Sequence, residues 1–533
     1  MEQDDEKKRV HGIVDTFSKG VIYQMGSFGL SKMLGVAFTI IVLNYFATQE
    51  SDLLFTANAF VNTISTLASL GLGLAAVKFF PGMIMRKEGG RIRTEILSAI
   101  VLMAIIMAAL FGAAYVLPKV FPGLEFVDWS TLGGLVAVIF ALSLLVLETA
   151  YITSVLNAFK QFFATSLVTA IIQVLRLLIV LALIYFGLGK AFEMLSGYAL
   201  TYTIVGVYLA WVAWGKIKEI GGTAKLDFWS LKRNIAFGLP IYLSSIIDSF
   251  LTQMDIILIA FFLGGNPGIV SGYTAVILIV RNIAPVIVSP LVNVQQPILA
   301  EEHDRGSPVF LKITREVSRW AFYLGLPTLL VFLAFDFAFM HLIAPAYAQN
   351  AYIMWLFAPF VIASLLSISF RNALMARGHV KTLLGISVMA VAINLALDWW
   401  LIPTAGIAGA AIGSSIAIVC AESTAIFMAG RKFGGQIHPD VLKAFGAFLA
   451  ALGLAFVNLP YFGQLAVFSR GGILALVLSM TVVCTAYLAV LFALRGFKSR
   501  DFETGLGFLE NNGLAWVSGL LKPACDAAVK YTG

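Results

Sequence analysis

Residues 92–117 read IRTEILSAIVLMAIIMAALFGAAYVL, and from Ile96 to Leu117 no charged side chain interrupts the run. A helix needs about 20 mainly apolar residues to cross the roughly 30 Å hydrocarbon core of a bilayer. This stretch is long enough, and the pattern returns along the chain. Apolar runs between charged or Gly/Pro-rich breaks predict fourteen helices, over 20–47, 52–78, 92–117, 129–157, 163–186, 192–214, 235–263, 268–299, 316–341, 351–376, 381–402, 406–430, 441–459 and 470–495. The expected fold class is an all-α integral membrane protein with fourteen transmembrane helices. Composition agrees. Of 533 residues 60% are hydrophobic and 12% charged, and the mean hydropathy is +0.91. Soluble proteins carry about 45–50% apolar and about 25% charged residues. The low charge excludes a soluble globular enzyme, a disordered chain and a nucleic-acid binder.

The distribution of Lys and Arg sets an orientation, because positive charge is retained in short cytoplasmic loops. With the N-terminus inside, inside segments hold 29 of the 36 basic residues and outside segments hold three, Lys119, Lys190 and Arg470. Both termini are expected in the cytoplasm of a cell whose plasma or inner membrane holds the chain. The start MEQDDEKKRV is acidic, then basic, and the first apolar run is too long for a signal h-region, so no cleavable signal peptide is expected. Ile13–Gln24 is expected to lie along the membrane surface, and 512–521 reads as an interfacial tail segment. No GxxxxGK[ST] phosphate loop occurs, so no ATPase is attached. The five His are scattered (His11, His303, His341, His379, His438), and Cys420, Cys484 and Cys525 stand far apart, so neither a metal site nor a disulfide framework is expected. No Ser/His/Asp or paired-carboxylate motif emerges. The expectation is a non-enzyme with no catalytic residues and no cofactor.

An internal repeat organises the helices. Leu156-Asn157-Ala158-Phe159-Lys160 aligns with Leu374-Met375-Ala376-Arg377-Gly378, Gln173 with Asn394, and Gly189 with Gly409, at a roughly constant offset of 216–221 residues. The repeat unit is six helices, an even number, so both copies cross in the same sense. Parallel repeats are related by an axis along the membrane normal, with a substrate site between lobes. The expected organisation is a cytoplasmic N-terminal segment 1–19, an N-lobe 20–214, a cytoplasmic linker 215–234, a C-lobe 235–430, two appended helices within 441–495, and a cytoplasmic tail 496–533, partly interfacial.

Charges inside a membrane are costly, at least ~2.5–3.5 kcal/mol near the centre, so they usually face a cavity or a partner. Lys32 falls about 18 Å along the first helix. Arg281, Arg176 and Asp248 are similarly central, whereas Arg371, Glu148 and Glu422 lie nearer the cytoplasmic ends and Asp255, Asp336 and Asp398 nearer the outer ends. Polar stripes mark wet faces: Gln24, Ser27, Ser31 and Lys32 on helix 1; Asn58, Asn62, Thr66 and Ser69 on helix 2; Ser244, Asp248, Thr252 and Asp255 on helix 7; Thr274, Arg281, Ser289, Asn293 and Gln296 on helix 8. Helices 1, 2, 7 and 8 are therefore expected to line a central cavity. Each residue has a plain structural rival. Lys32 and Arg281 either bind an anionic headgroup or pair with Asp248. Asp248 and Asp255 either bind a coupling ion or serve as counter-charges. Arg371 either enters the cavity or snorkels to the interface. Ser and Asn stripes also serve as helix–helix glue.

One segment carries a resemblance. Asn394-Leu395-Ala396-Leu397, Leu401-Ile402-Pro403 and Gly406-Ile407-Ala408-Gly409-Ala410-Ala411 resemble a segment of the Wzx-like polysaccharide flippases, in the multidrug/oligosaccharidyl-lipid/polysaccharide exporter superfamily. Leu70-Gly71-Leu72 through Lys78 and Pro81 is similar to that family's helix 2 ending, and Gln253 and Asp255 with Gly272-Tyr273 to its helix 7–8 entry. Ser51-Asp52 departs from the pattern, where the family often has a Gly. The resemblance implies outward translocation, by alternating access, of an oligosaccharide on a polyprenyl phosphate or diphosphate, for polysaccharide or glycan export. It implies that Lys32, Arg281, Lys78 and Arg371 meet the lipid phosphate. Expected partners are the polyprenyl-linked glycan, membrane lipids and glycan-assembly proteins, with no nucleic acid. The alternative is an ion-coupled multidrug or cation exporter of the same superfamily. That reading expects acidic residues at the cavity centre, which Asp248 and Asp255 keep open.

Overall fold

No water reaches the hydrocarbon core, so a chain crossing it must satisfy every backbone N–H and C=O internally, which a helix does. The apolar runs are helical in the computed structural model, which describes residues 30–120, 129–283, 309–468 and 472–498 together with Val288, Gln295, Leu299, Asp501 and Lys522. The first helix is α1 (Leu30–Tyr45). It is followed by α2 (Thr48–Ala68), α3 (Leu72–Met85), α4 (Gly89–Val120), α5 (Trp129–Ala158), α6 (Phe162–Tyr185), α7 (Ala191–Ile220), α8 (Lys232–Leu263) and α9 (Ile269–Ile277). Then come α10 (Val309–Ala334), α11 (Asp336–Ile343), α12 (Ala358–Ala376), α13 (Val380–Ala405), α14 (Ile407–Phe433), α15 (Asp440–Phe468) and α16 (Gly472–Ala493). Among the described residues there is no strand. Among them nine helices are long and apolar enough to cross a membrane, or ten if α2 and α3 form one bent span. The expected crossings 20–47, 268–299 and 470–495 are described only in part, so the number fourteen stays a sequence expectation. The expected surface segments at Ile13–Gln24 and 512–521 lie outside the described residues.

The chain divides into two compact units. The first comprises Met1–Leu278, Ala344–Tyr347 and Ser387–Ala417. Part of its core is the buried set Leu156, Val168, Val205, Leu209 and Ala213, where α5, α6 and α7 meet. The second comprises Ile279–Ile343, Ala348–Ile386 and Ile418–Gly533. Its core includes Ala334, Phe335, Ala338, Ala455 and Leu476, from α10, α11, α15 and α16.

The sequence predicts one unbroken helix over 52–78, and the structure bends it by 46° between α2 and α3. Leu70 and Gly71 both take positive φ, 46° and 69°. The cause is a neighbour. Gly238 of α8 approaches so closely that a Cβ on Gly71 would lie 2.8 Å from its carbonyl oxygen. The Tyr242 hydroxyl then donates to the carbonyl of Leu67, one of those the break frees from the α-helical ladder. The predicted helix over 268–299 also departs from regularity, because α9 passes into a π-helical turn over Leu278–Ile283.

Candidate functional site

Two polar places in the first unit each include residues from the expected wet faces. The first is a recess of about 320 Å³ beside the α2–α3 bend, lined by Asn62, Thr66, Ser69, Tyr151, Ser154 and Tyr242, among others. Asn62, Thr66 and Ser69 share one face because they recur at helical spacing. The Thr66 hydroxyl is tied back to the Asn62 carbonyl at 2.8 Å, while the Asn62 amide remains on the wall. Glycine makes the recess fit: a Cβ on Gly73 would stand 2.7 Å from Ser154 Oγ. Hydroxyl, phenol and amide groups beside Leu74 and Met103 make a wall that can hydrogen-bond a polar ligand and still pack against its apolar face. Asn58, one turn away on α2, is half-buried and does not belong to this lining.

The second place is a buried carboxylate cluster. Asp255 on α8 and Asp398 on α13 are both fully buried. Asp255 Oδ2 accepts from the Tyr273 hydroxyl at 2.6 Å and from the Ser414 hydroxyl at 2.7 Å. Asn394 Nδ2 donates to Asp398 Oδ2 at 2.9 Å and approaches Ser414 Oγ at 3.4 Å. Asn394 and Asp398 are four residues apart and so share a helix face. Gly413 leaves room for them, since a Cβ there would lie 2.2 Å from Asp398 Oδ1. Two carboxylates with hydroxyl and amide oxygens, away from water, form a donor set for a hard cation or a shared proton. Among the described residues no group of three or more His, Cys, Asp or Glu could hold a metal.

The remaining expected residues fall as follows. Lys32 is exposed near the start of α1, and its neighbour Ser31 is buried, its hydroxyl donating to the Thr169 carbonyl at 3.0 Å. Lys78 is exposed on α3 with its ammonium 3.7 Å from the centre of the Phe237 ring. Arg281 occupies the π-helical turn, its guanidinium 5.4 Å and 5.6 Å from the ring centres of Phe357 and Phe360. Such turns recur at functional sites. Arg371 Nη1 pairs with Glu422 Oε1 at 3.2 Å. Gln24 and Asn293, and the side chains of Asp248 and Thr252, lie outside the described residues.

With this geometry in view, comparison with known proteins is decisive at one point. The sequence profile of the polysaccharide biosynthesis proteins matches residues 17–303, more than half of the chain. The chain belongs to the polysaccharide biosynthesis protein family. No curated protein matches it by sequence. Among solved structures, the lipid II flippase MurJ in an inward closed conformation superposes with a TM-score of 0.71 at 13% identity, covering 89% of this chain and 99% of that one. An inward-facing multidrug resistance MATE family transporter of the MOP superfamily gives 0.60 at 14% identity, covering 75% and 94%. This polysaccharide biosynthesis protein therefore has the all-helical fold shared by MurJ and MATE transporters.

Several partners were not evident from the sequence of this family member. Tyr273 and Ser414 hold Asp255, and Asp398 joins the same cluster through Asn394. The i, i+4 spacing of Asn394 and Asp398 was the available signal. Asp52, at the departure from the family pattern, also acquires a role. Its carboxylate accepts from the backbone N–H groups of Gly268 at 2.6 Å and Ser271 at 2.7 Å, capping the start of α9.

Proposed function

We propose that this protein is a flippase that carries a lipid-linked oligosaccharide, on a polyprenyl phosphate or diphosphate, from the cytoplasmic to the outer leaflet. Family membership carries the reading, supported by a fold shared with a lipid II flippase over 89% of the chain. On this reading the chain acts as a transporter. The two six-helix lobes, 20–214 and 235–430, alternate access to a central cavity, with both termini in the cytoplasm of a plasma or inner membrane. Lys32 and Arg281 hold the lipid phosphate in the inward-facing state, Lys78 guides it at the cytoplasmic mouth and Arg371 adds a cation. Asn58, Asn62 and Thr66, with Gln24, Ser31, Thr252 and Asn293, supply the polar lining, while the prenyl tail stays in lipid. Asp255, together with Asp398 and with Asp248 on the same helix as Asp255, takes the coupling cation. One charge moved across 100 mV is worth ~2.3 kcal/mol.

A second reading, an ion-coupled exporter of cationic drugs, draws on one observation, the buried carboxylates Asp255 and Asp398. One experiment separates the two. Purified protein in liposomes is given a labelled polyprenyl-diphosphate oligosaccharide, and the rate at which its headgroup becomes accessible on the opposite leaflet is followed. The flippase accelerates that rate. Efflux of a fluorescent cation under a proton or sodium gradient, without glycan movement, would instead support the drug exporter.

A further inference from the structure

Away from the two places above, the cytoplasmic start of α4 carries a recess that the flippase reading does not use. After α7 the chain returns to α8 along the mouth of α4. Arg93 Nη2 donates to the Ile217 carbonyl at 2.8 Å and its Nη1 to the Gly222 carbonyl at 2.5 Å. The Lys225 backbone N–H donates to Thr94 Oγ1 at 3.2 Å, and that of Asp227 to Ser98 Oγ at 2.8 Å. Gly222 fits only as glycine, with φ +87° and a virtual Cβ 2.4 Å from the Gly90 nitrogen. The strap is thus fixed to α4 by three hydrogen bonds, at Gly222, Lys225 and Asp227.

Between strap and helix lies an open space of about 650 Å³, lined by Arg91, Thr94, Thr223, Lys225, Trp229 and Ser230. Its polar wall holds two cations and three hydroxyls. The carboxylate Asp227 also faces it, but one of its oxygens is engaged by the Trp229 N–H at 2.9 Å. Arg91 meets Glu88 at 3.4 Å and Glu95 at 3.2 Å, which uses two of the five N–H donors of a guanidinium. Trp229, on the lining, is 79% exposed, and Lys232 Nζ lies 5.6 Å from its ring centre. Tryptophan is enriched at membrane–water interfaces. Basic side chains beside a spanning helix attract anionic lipids.

We propose that this recess seats the phosphate of an anionic glycerophospholipid of the cytoplasmic leaflet. Arg91 and Lys225 neutralise the phosphate, the hydroxyl of Thr223 donates to one of its oxygens, and the acyl chains run along Trp229, while the Thr94 and Ser230 hydroxyls give their protons to the carbonyls of Gly90 and Asp227. The seat is independent of the flippase reading, because it asks only for lysine- and arginine-rich loops on the side where anionic lipids lie.

The test titrates the full chain, in neutral detergent, with dihexanoyl-phosphatidylglycerol and with dihexanoyl-phosphatidylcholine, and counts bound lipid by native mass spectrometry. Phosphatidylglycerol is expected to bind in preference, more weakly as salt rises. Lys225→Gln is expected to weaken it about fivefold, the worth of one basic side chain near an anionic surface. Lys225→Arg restores binding. Lys218→Gln, an exposed lysine on the same side that does not line the recess, leaves it unchanged. Unaltered thermal unfolding of Lys225→Gln confirms that the variant folds. Equal binding of phosphatidylcholine would overturn the proposal, as would full binding by Lys225→Gln. A short-chain polyprenyl phosphate that displaces phosphatidylglycerol at lower concentration would also overturn it, reassigning the recess to the transported lipid.

Discussion

At the scale of single residues, Asp255 and Asp398 are both fully buried. A carboxylate buried in a membrane interior is expensive unless it is paired, hydrogen-bonded or protonated. The hydroxyls of Tyr273 and Ser414 offset part of that cost for Asp255, and the Asn394 amide does so for Asp398. If the cluster binds the coupling cation, that cation should raise the unfolding temperature of the wild type. Asp255→Asn and Asp398→Asn should lose the rise; a full rise in either variant would remove the cluster from coupling. Gly413→Ala is expected to cost about 1–3 kcal/mol by overpacking, since its Cβ would fall 2.2 Å from Asp398 Oδ1. Chemical unfolding in detergent measures that loss. The sequence flagged Asp255 as an ion candidate and placed Asp398 at a helix end. It could not pair them, because the link runs through Ser414, 159 residues from Asp255. Glu148 shows the opposite limit. It lies near a cytoplasmic helix end by sequence, and among the described residues neither of its buried carboxylate oxygens has a hydrogen-bond partner.

Among elements, the α2–α3 bend is the informative case. Apolar periodicity runs without interruption through Leu70 and Gly71, so hydropathy reads one helix there. The break is imposed from outside by Gly238 and Tyr242 of α8, which no local pattern announces. Gly71→Ala would have to hold a side chain at φ +69° against the Gly238 carbonyl. It should destabilise the protein by about 1–3 kcal/mol, the cost of a strained left-handed residue. Thermal unfolding checks this, and a neutral effect would mean that the bend relaxes freely. The π-helical turn bearing Arg281 was equally illegible, because an i→i+5 turn leaves no mark in hydropathy. By contrast, helices such as α4 to α7 were read nearly to their ends, since long uncharged runs between basic breaks carry the signal by themselves.

For the molecule as a whole, the class follows from the charge content, and the family match agrees with it. What the sequence could not convey is how the second unit fastens its far C-terminal segment. Arg319, on α10 and almost fully buried, meets Asp501 through two hydrogen bonds of 2.6 Å and 3.1 Å. The Tyr323 hydroxyl donates to the Gly496 carbonyl at 2.6 Å. Removing one partner of a buried pair typically costs about 3–5 kcal/mol, and Asp501→Ala should fall near the lower end because Glu316 still meets Arg319 at 3.0 Å. Beside this clasp, burial and then the Lys498 ammonium hold His438 below its ordinary imidazole range, against the pull of Asp440 and Glu316 and with a further push from Arg319. Its stabilising effect is therefore complete above pH 6.5, the ordinary imidazole value, and is lost as pH falls below it. Burial raises Asp440, but Lys443, His438 and Lys498 more than offset that, so its contribution persists until pH falls below about 3.8. Unfolding temperatures measured across this range should decline first below pH 6.5, and His438→Gln should abolish that first decline. The central claim, movement of a lipid-linked glycan by a cationic site, is tested most directly in liposomes. The initial rate of headgroup exposure is measured for the wild type, for Lys32→Ala/Arg281→Ala and for empty vesicles. The account predicts fast exposure with the wild type and a rate near that of empty vesicles with the double variant; exposure at the wild-type rate by the double variant would contradict it.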